Sequence, residues 1–139
     1  MEQKILNYIT DQSPDRHGLL SEIHEIICKN DLSVVAVVEP MMGKEMIIYR
    51  SNHVMKYALA GLKNYMSLHV LPIYGSASLF LKYQALMPKA KFQKGCINFN
   101  QADELPLEVI KALIVDCSTI DLKKVKEDYL KSRKPASSN

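Results

Sequence analysis

The chain has 139 residues, a length typical of one domain that can bury a core without disulfides or a structural metal. Its net charge of +3 is too small for a dedicated nucleic-acid binder, and no apolar run reaches the roughly 18 residues of a membrane-spanning helix. Three widely spaced cysteines, Cys28, Cys96 and Cys117, argue against a disulfide framework and favour a reducing compartment. The amino terminus has no signal-peptide pattern, so we expect a soluble, cytoplasmic protein whose partners include neither nucleic acid nor membrane.

Helical periodicity dominates the start of the chain. Apolar residues within positions 2–10 have the spacing of one helix face and predict a short helix. Ser13 followed by Pro14 predicts the start of a second helix, because serine is a good N-cap and proline suits the first helical position. Its apolar stripe continues to near Asn30, where we expect the helix to end.

The period then changes to that of strands. Residues 34–38 and 46–50 are rich in β-branched and aromatic side chains and predict two strands, separated by a break at 39–43. Residues 54–60 and 65–71, joined by a short loop, predict a hairpin. Strands joined by short loops must pair antiparallel, because a parallel crossover needs a dozen or more residues.

Helices return towards the end of the chain. Ser76 predicts the N-cap of a helix that Pro88 ends, and residues 95–99 predict a last strand. Apolar periodicity predicts two more helices, one opening at Leu105-Pro106 and one capped by Ser118 or Thr119.

These elements predict the fold class α+β. We expect an antiparallel sheet of four to five strands, with the N- and C-terminal helices packed mainly on one face. Residues 1–130 would form a single domain, and residues 131–139 (KSRKPASSN) read as a disordered tail.

Strand alternation predicts a polar face on this sheet. Ser67 and His69 share one side of their strand, and Cys96 and Asn98 share one side of theirs. If the apolar residues between them face the helices, all four polar side chains lie on the opposite face. We therefore predict an open sheet face or a shallow cleft there.

Lys94 and Gly95 stand directly before this last strand. A glycine at a strand start often fills a bulge or a positive-φ position, and a lysine beside a strand is commonly a solvated flank that discourages edge pairing. Alternatively, Lys94, backbone amides near Gly95 and His69 hold an anion or a polar ligand. The sequence leaves both interpretations open.

Two further alternatives use cysteine and histidine. If their strands pair, His69 could lower the pKa of Cys96 and make it the nucleophile of a thiol-dependent enzyme. His24 and Cys28, one helical turn apart, could contact one metal ion, but a third strong ligand is not evident. No P-loop, GxGxxG, CxxC or HExxH motif is present, so no cofactor motif is evident.

Three motifs follow one another in the second half of the chain. They are KNYMSLH from Lys63 to His69, KGCI at residues 94–97 and DELPL at residues 103–107. In this order they resemble the YdhG-like domain family, and the likeness extends over nearly the whole chain. The resemblance implies a small α+β domain, and Lys63, Lys94 and Gly95 match its motif positions.

The resemblance also implies an alternative function. Some family members are similar in fold to frataxin and have been proposed as iron chaperones, and frataxin-type iron handling uses a carboxylate-rich ridge on an early helix and adjoining strand. A thin version of that ridge is present here, formed by Asp11, Asp15, Glu22 and Glu25. The family motif carries no catalytic residue.

We therefore predict a non-enzymatic binding module for a small ligand, a metal or a protein partner. The predicted ligand-binding residues are Lys63, Ser67, His69, Lys94, Gly95, Cys96 and Asn98. The alternatives are a frataxin-like iron-binding chaperone and a thiol-dependent enzyme that uses Cys96. The identity of the ligand and the oligomeric state, including a homodimer, stay open.

Overall fold

The computed structural model describes residues 2–133, which form six α-helices, six strands and one short 3-10 helix at Ala102–Glu104. The helices and strands are α1 (Gln3–Thr10), α2 (Pro14–Asn30), β1 (Val35–Met41), β2 (Lys44–Ser51), β3 (Val54–Gly61), β4 (Met66–Val70), α3 (Leu71–Tyr74), α4 (Ala77–Leu86), β5 (Lys91–Gln93), β6 (Cys96–Phe99), α5 (Leu107–Ser118) and α6 (Leu122–Arg133). Among these described helices, none is both long enough and apolar enough to cross a membrane.

The six strands form one sheet in the order β1-β2-β3-β4-β6-β5, and every neighbouring pair is antiparallel. The predicted α+β class with an antiparallel sheet is confirmed. The sheet has one strand more than predicted, because the three residues of β5 are too few to show an alternation.

The main core lies between one face of the sheet and helices α1, α2, α4 and α5. A smaller apolar cluster of Met46, Ile48, Ala58 and Ala60 lies on the opposite face. Helix α6 contacts β3, and its residues Leu122 and Val125 border this second face. The helices thus pack mainly on one face, as predicted, with α6 beside the other.

Several element ends differ from the sequence-based expectation. The predicted break at 39–43 is present but shorter, because β1 continues through Pro40 to Met41 and only Met42 and Gly43 form the tight turn, with φ values of 52° and 81°. Proline is tolerated there because β1 is an edge strand, where its missing N–H breaks no ladder bond.

The last two helices begin later than predicted. Helix α5 starts at Leu107, after Pro106. Helix α6 starts at Leu122, and its cap is Asp121, whose side chain accepts a hydrogen bond of 3.2 Å from the Lys124 backbone N–H. Helix α6 runs to Arg133, and the rest of the predicted tail, residues 134–139, lies outside the described residues.

A β-bulge interrupts the pairing of β2 with β3. Tyr49 pairs with Tyr57 and Arg50 with Met55, so Lys56 is an extra residue without a partner on β2. Lys56 and Tyr57 both reach Asp31 at the end of α2, so both side chains lie on the helical side of the sheet. The bulge therefore breaks the strand alternation at this point.

Lys56 and Asp31 form a buried ion pair. Their side chains are each 1% exposed, and Lys56 Nζ lies 2.8 Å from Asp31 Oδ2. Asp31 also accepts hydrogen bonds from the Tyr57 hydroxyl at 2.7 Å and from the Ser33 hydroxyl at 2.6 Å. Burial raises the pKa of Asp31, but the hydrogen bonds from Lys56, Ser33 and Tyr57 outweigh it and lower the pKa below its ordinary value.

Replacing Lys56 with methionine should destabilise the fold strongly, because it leaves the buried Asp31 carboxylate without its counter-ion. We expect Lys56→Met to lower the free energy of unfolding by about 3–5 kcal/mol, measured by urea denaturation at neutral pH. The matched control is Lys29→Met, since Lys29 pairs with Glu25 at 3.9 Å while these side chains are 77% and 57% exposed. That control should cost no more than about 0.5 kcal/mol, and equal losses in both variants would contradict the prediction.

Candidate functional site

The pairing of β4 with β6 brings four predicted site residues together. His69 stands opposite Cys96 and Ser67 opposite Asn98, and directly opposite residues of an antiparallel pair project to the same face. His69 Nδ1 lies 3.5 Å from Cys96 Sγ, and the Ser67 hydroxyl donates a hydrogen bond of 2.8 Å to Asn98 Oδ1. The prediction that these four side chains share one face is confirmed.

The intervening residues explain this orientation. Leu68 on β4 and Ile97 on β6 are opposite each other and fully buried in the main core. Since strand side chains alternate, burying this apolar pair against the helices turns the polar residues to the other face.

The four polar residues line a groove of about 1170 Å³. Its walls are mainly apolar and also include residues of β1, β2, β3, β5, α3, α6 and the loop between β3 and β4. Their largest apolar side chains are Met41, Met42, Met46, Met55, Leu62, Tyr65, Leu71 and Tyr74. Ser67 is only 2% exposed, whereas His69, Cys96 and Asn98 are half-buried. The predicted shallow cleft is thus a large groove with a polar row along one side.

Small residues flank the polar row on β3. Ala58 pairs with His69, and Ala60 pairs with Ser67. Their methyl groups fill little space next to the longer side chains of the neighbouring strands. Ala58 and Ala60 are themselves fully buried in the second apolar cluster, and neither is part of the groove lining.

The turn before β6 places Lys94 and Gly95 at one end of the groove. Both residues line it, and Gly95 is buried. The sequence suggested a bulge or a positive φ at Gly95, but the positive φ, 56°, belongs to Lys94. Gly95 is favoured for a different reason: a Cβ there would make tight contacts, 3.2 Å from the Tyr74 ring and 3.3 Å from the Val70 carbonyl oxygen. The Val70 N–H also donates a hydrogen bond of 2.7 Å to the Gly95 carbonyl, which fixes the turn.

The remaining predicted site residue, Lys63, does not join this group. It is exposed in the loop between β3 and β4 and is not part of the groove lining, although its neighbours Leu62 and Tyr65 are.

Burial determines the charge state of the Cys96–His69 pair. It raises the pKa of the Cys96 thiol and lowers the pKa of the His69 imidazole. Both shifts favour the neutral forms near pH 7, a thiol beside an imidazole. They act against the thiolate that the thiol-dependent alternative needs.

The other cysteine–histidine candidate has different surroundings. His24 Nδ1 lies 2.7 Å from the Tyr49 hydroxyl, and Cys28 Sγ lies 3.8 Å from His24 Nε2. Within residues 2–133, no three or more His, Cys, Asp or Glu side chains are grouped so as to hold a metal ion. The acidic residues of the predicted iron ridge, Asp11, Asp15, Glu22 and Glu25, are all exposed, and iron binding there stays a prediction.

The apolar wall of the groove was not predicted from the sequence. Four of the seven methionines, Met41, Met42, Met46 and Met55, line it. The clustering of methionines between residues 41 and 55 was a usable signal, because methionine is common at adaptable binding surfaces.

Comparisons of the chain with family models, curated proteins and solved structures gave no match. Membership of the YdhG-like family therefore stays a prediction that rests on the three sequence motifs.

The neutral pair predicts a slow thiol. Because burial raises the pKa of Cys96 and disfavours its thiolate, iodoacetamide should alkylate Cys96 at pH 7 more slowly than the same cysteine in the urea-unfolded chain. The rate should rise with pH through a pKa above that of the unfolded chain. Peptide mapping by mass spectrometry would give the rate for each cysteine. The buried Cys117, whose pKa burial raises to about 12, should react slowest.

The variant His69→Asn tests the role of the imidazole. A neutral imidazole does not stabilise a thiolate, so the substitution should not slow alkylation of Cys96 at pH 7. A rate profile with an inflection below pH 7 that disappears in His69→Asn would reveal a thiolate–imidazolium pair and favour the thiol-dependent enzyme.

Proposed function

We propose that this protein is a non-enzymatic binding module whose groove takes a small, mainly apolar ligand. The observation that carries the proposal is the groove itself, about 1170 Å³ in volume, with methionine-rich walls and a short row of polar side chains. Ligand sites of proteins are concave, mostly apolar cavities of roughly 300–1,000 Å³ in which a few polar groups fix the orientation of the ligand.

The apolar wall would supply most of the binding free energy. Methionine side chains are flexible and polarisable, so a wall that contains Met46 and Met55 can adapt to ligands of different shape. Each CH₂ group of a ligand that leaves water contributes about 0.8 kcal/mol, less the entropy cost of association.

The polar row would orient the ligand rather than react with it. Ser67 and Asn98 bond to each other, which holds the Asn98 amide in place. The pKa shifts of Cys96 and His69 favour neutral groups, which suit hydrogen bonding better than nucleophilic attack. These observations support a binding function over the thiol-dependent alternative.

The cellular compartment and the family relationship of the protein are also proposals. The three cysteines, Cys28, Cys96 and Cys117, are free, which suits a reducing, cytoplasmic compartment. We keep the YdhG-like family as the proposed relationship, because the KGCI and KNYMSLH motifs form the strands and the turn that carry the groove residues.

Methionine methyl groups provide a direct test of groove binding. In protein labelled with ¹³C at the methionine methyls, the neutral probe 1-decanol should shift the NMR signals of Met46 and Met55, with a dissociation constant on the order of 0.1 mM. Met66 and Met87 lie in the main core on the other side of the sheet and should stay unshifted. Shifts of the core methionines alone would contradict the proposal.

A matched pair of lysine substitutions sharpens the test. Met55→Lys places a charge on the half-buried wall and should weaken decanol binding at least tenfold, because the ammonium group must stay hydrated. Leu32 is 88% exposed and is not part of the groove lining, so Leu32→Lys should change the affinity by less than about twofold. Equal effects of the two substitutions would count against binding in the groove.

A further inference from the structure

We infer that the ligand of the groove carries an anionic head group, a carboxylate or a group of similar charge, that pairs with Lys94. This inference rests on the groove binding proposed above and specifies the class of ligand: an anionic amphiphile with an apolar tail.

The charges of the groove are of one sign. Two lysines, Lys44 and Lys94, line it, and no aspartate or glutamate is among the described residues of its lining. A ligand with a negative group therefore meets attraction and no opposing carboxylate, whereas a cationic ligand meets repulsion. Such complementarity selects between ligands whose apolar parts are the same.

The polar row adds neutral donors near Lys94. The Cys96 thiol stays protonated, so its S–H can donate to His69 Nδ1, which leaves the proton of the imidazole on Nε2. Asn98 Oδ1 accepts from Ser67, which leaves the Asn98 amide N–H groups without a hydrogen bond to another described residue. The Nε2–H group of His69 and the amide N–H groups of Asn98 can then donate hydrogen bonds to a head group that is rich in acceptors.

The rigidity of its turn favours Lys94 over Lys44. Gly95 packs closely against Tyr74 and Val70, and its carbonyl accepts the Val70 N–H, so the backbone next to Lys94 is fixed. Lys94 is also two residues before Cys96, in the turn that leads into the strand that carries Asn98. Lys44 instead is the first residue of β2 and directly follows an exposed turn. A fixed backbone limits the positions that the Lys94 ammonium group can reach, so less entropy is lost when this group pairs with a ligand.

Three probes with one tail and different heads test the inference. Decanoate, decanol and decylammonium are titrated into the ¹³C-methionine protein, and the shifts of Met46 and Met55 report the affinity. We expect decanoate to bind about tenfold more tightly than decanol, with decylammonium the weakest. The preference for decanoate should shrink at high salt, because the exposed Lys94 is screened.

Substitutions assign the preference to one lysine. Lys94→Asn removes the charge and keeps a residue that tolerates positive φ, so it should make decanoate and decanol bind about equally without loss of stability. Lys44→Gln should leave most of the preference. Lys111→Gln removes the same charge from the exposed side of α5, away from the groove, and should leave all of it.

The outcomes separate this inference from the proposed function. If decanol and decanoate bind the groove equally well, or if Lys44→Gln rather than Lys94→Asn removes the preference, the anionic head at Lys94 is wrong and groove binding stands. If none of the three probes shifts the groove methionines, the proposed function is wrong, and the inference about the head group fails with it.

Discussion

The register between β4 and β6 is the constraint on which the site depends. Leu68 and Ile97 face each other in the main core, and burying each side chain contributes about 1.5–3 kcal/mol. A slip of one residue would expose this pair and push His69 and Cys96 towards the helices. The main core therefore holds the polar row in place, although none of its described residues lines the groove.

A second constraint shapes the opposite wall of the groove. The bulge in β3 turns both Lys56 and Tyr57 to the helical side, where they bond to Asp31. Without the extra residue, alternation from Ala58 would send Lys56 into the groove and Met55 into the core. The buried ion pair thus compensates a charge that the bulge has placed inside, and the same bulge brings Met55 into the groove lining.

These two walls differ in how far the sequence predicts them. The polar row follows from alternation in two short strands, because period-two patterns survive wherever pairing is regular. The methionine wall does not follow from alternation. The bulge turns Lys56 into the protein interior, which violates the expectation that a lysine stays exposed. The placement of α6 beside the second face and the pairing of β5 depend on tertiary contacts that no local pattern encodes. The charge state of Cys96 also needed the structure, because its proximity to His69 suggests a lowered pKa and burial raises it.

The burial that makes the Cys96 thiol a poorer nucleophile also makes the site a better binding surface. A half-buried imidazole and amide exchange fewer hydrogen bonds with water, so a ligand acceptor that reaches them gains more than it would at an open surface. Such groups also discriminate, because an apolar ligand without an acceptor must desolvate His69 and Asn98 without compensation. Lys94 contributes differently: it is exposed and keeps its hydration until a ligand arrives. A groove of this kind obtains affinity from its methionine wall and selectivity from the polar row and the cation beside it, and neither task requires a reactive thiol.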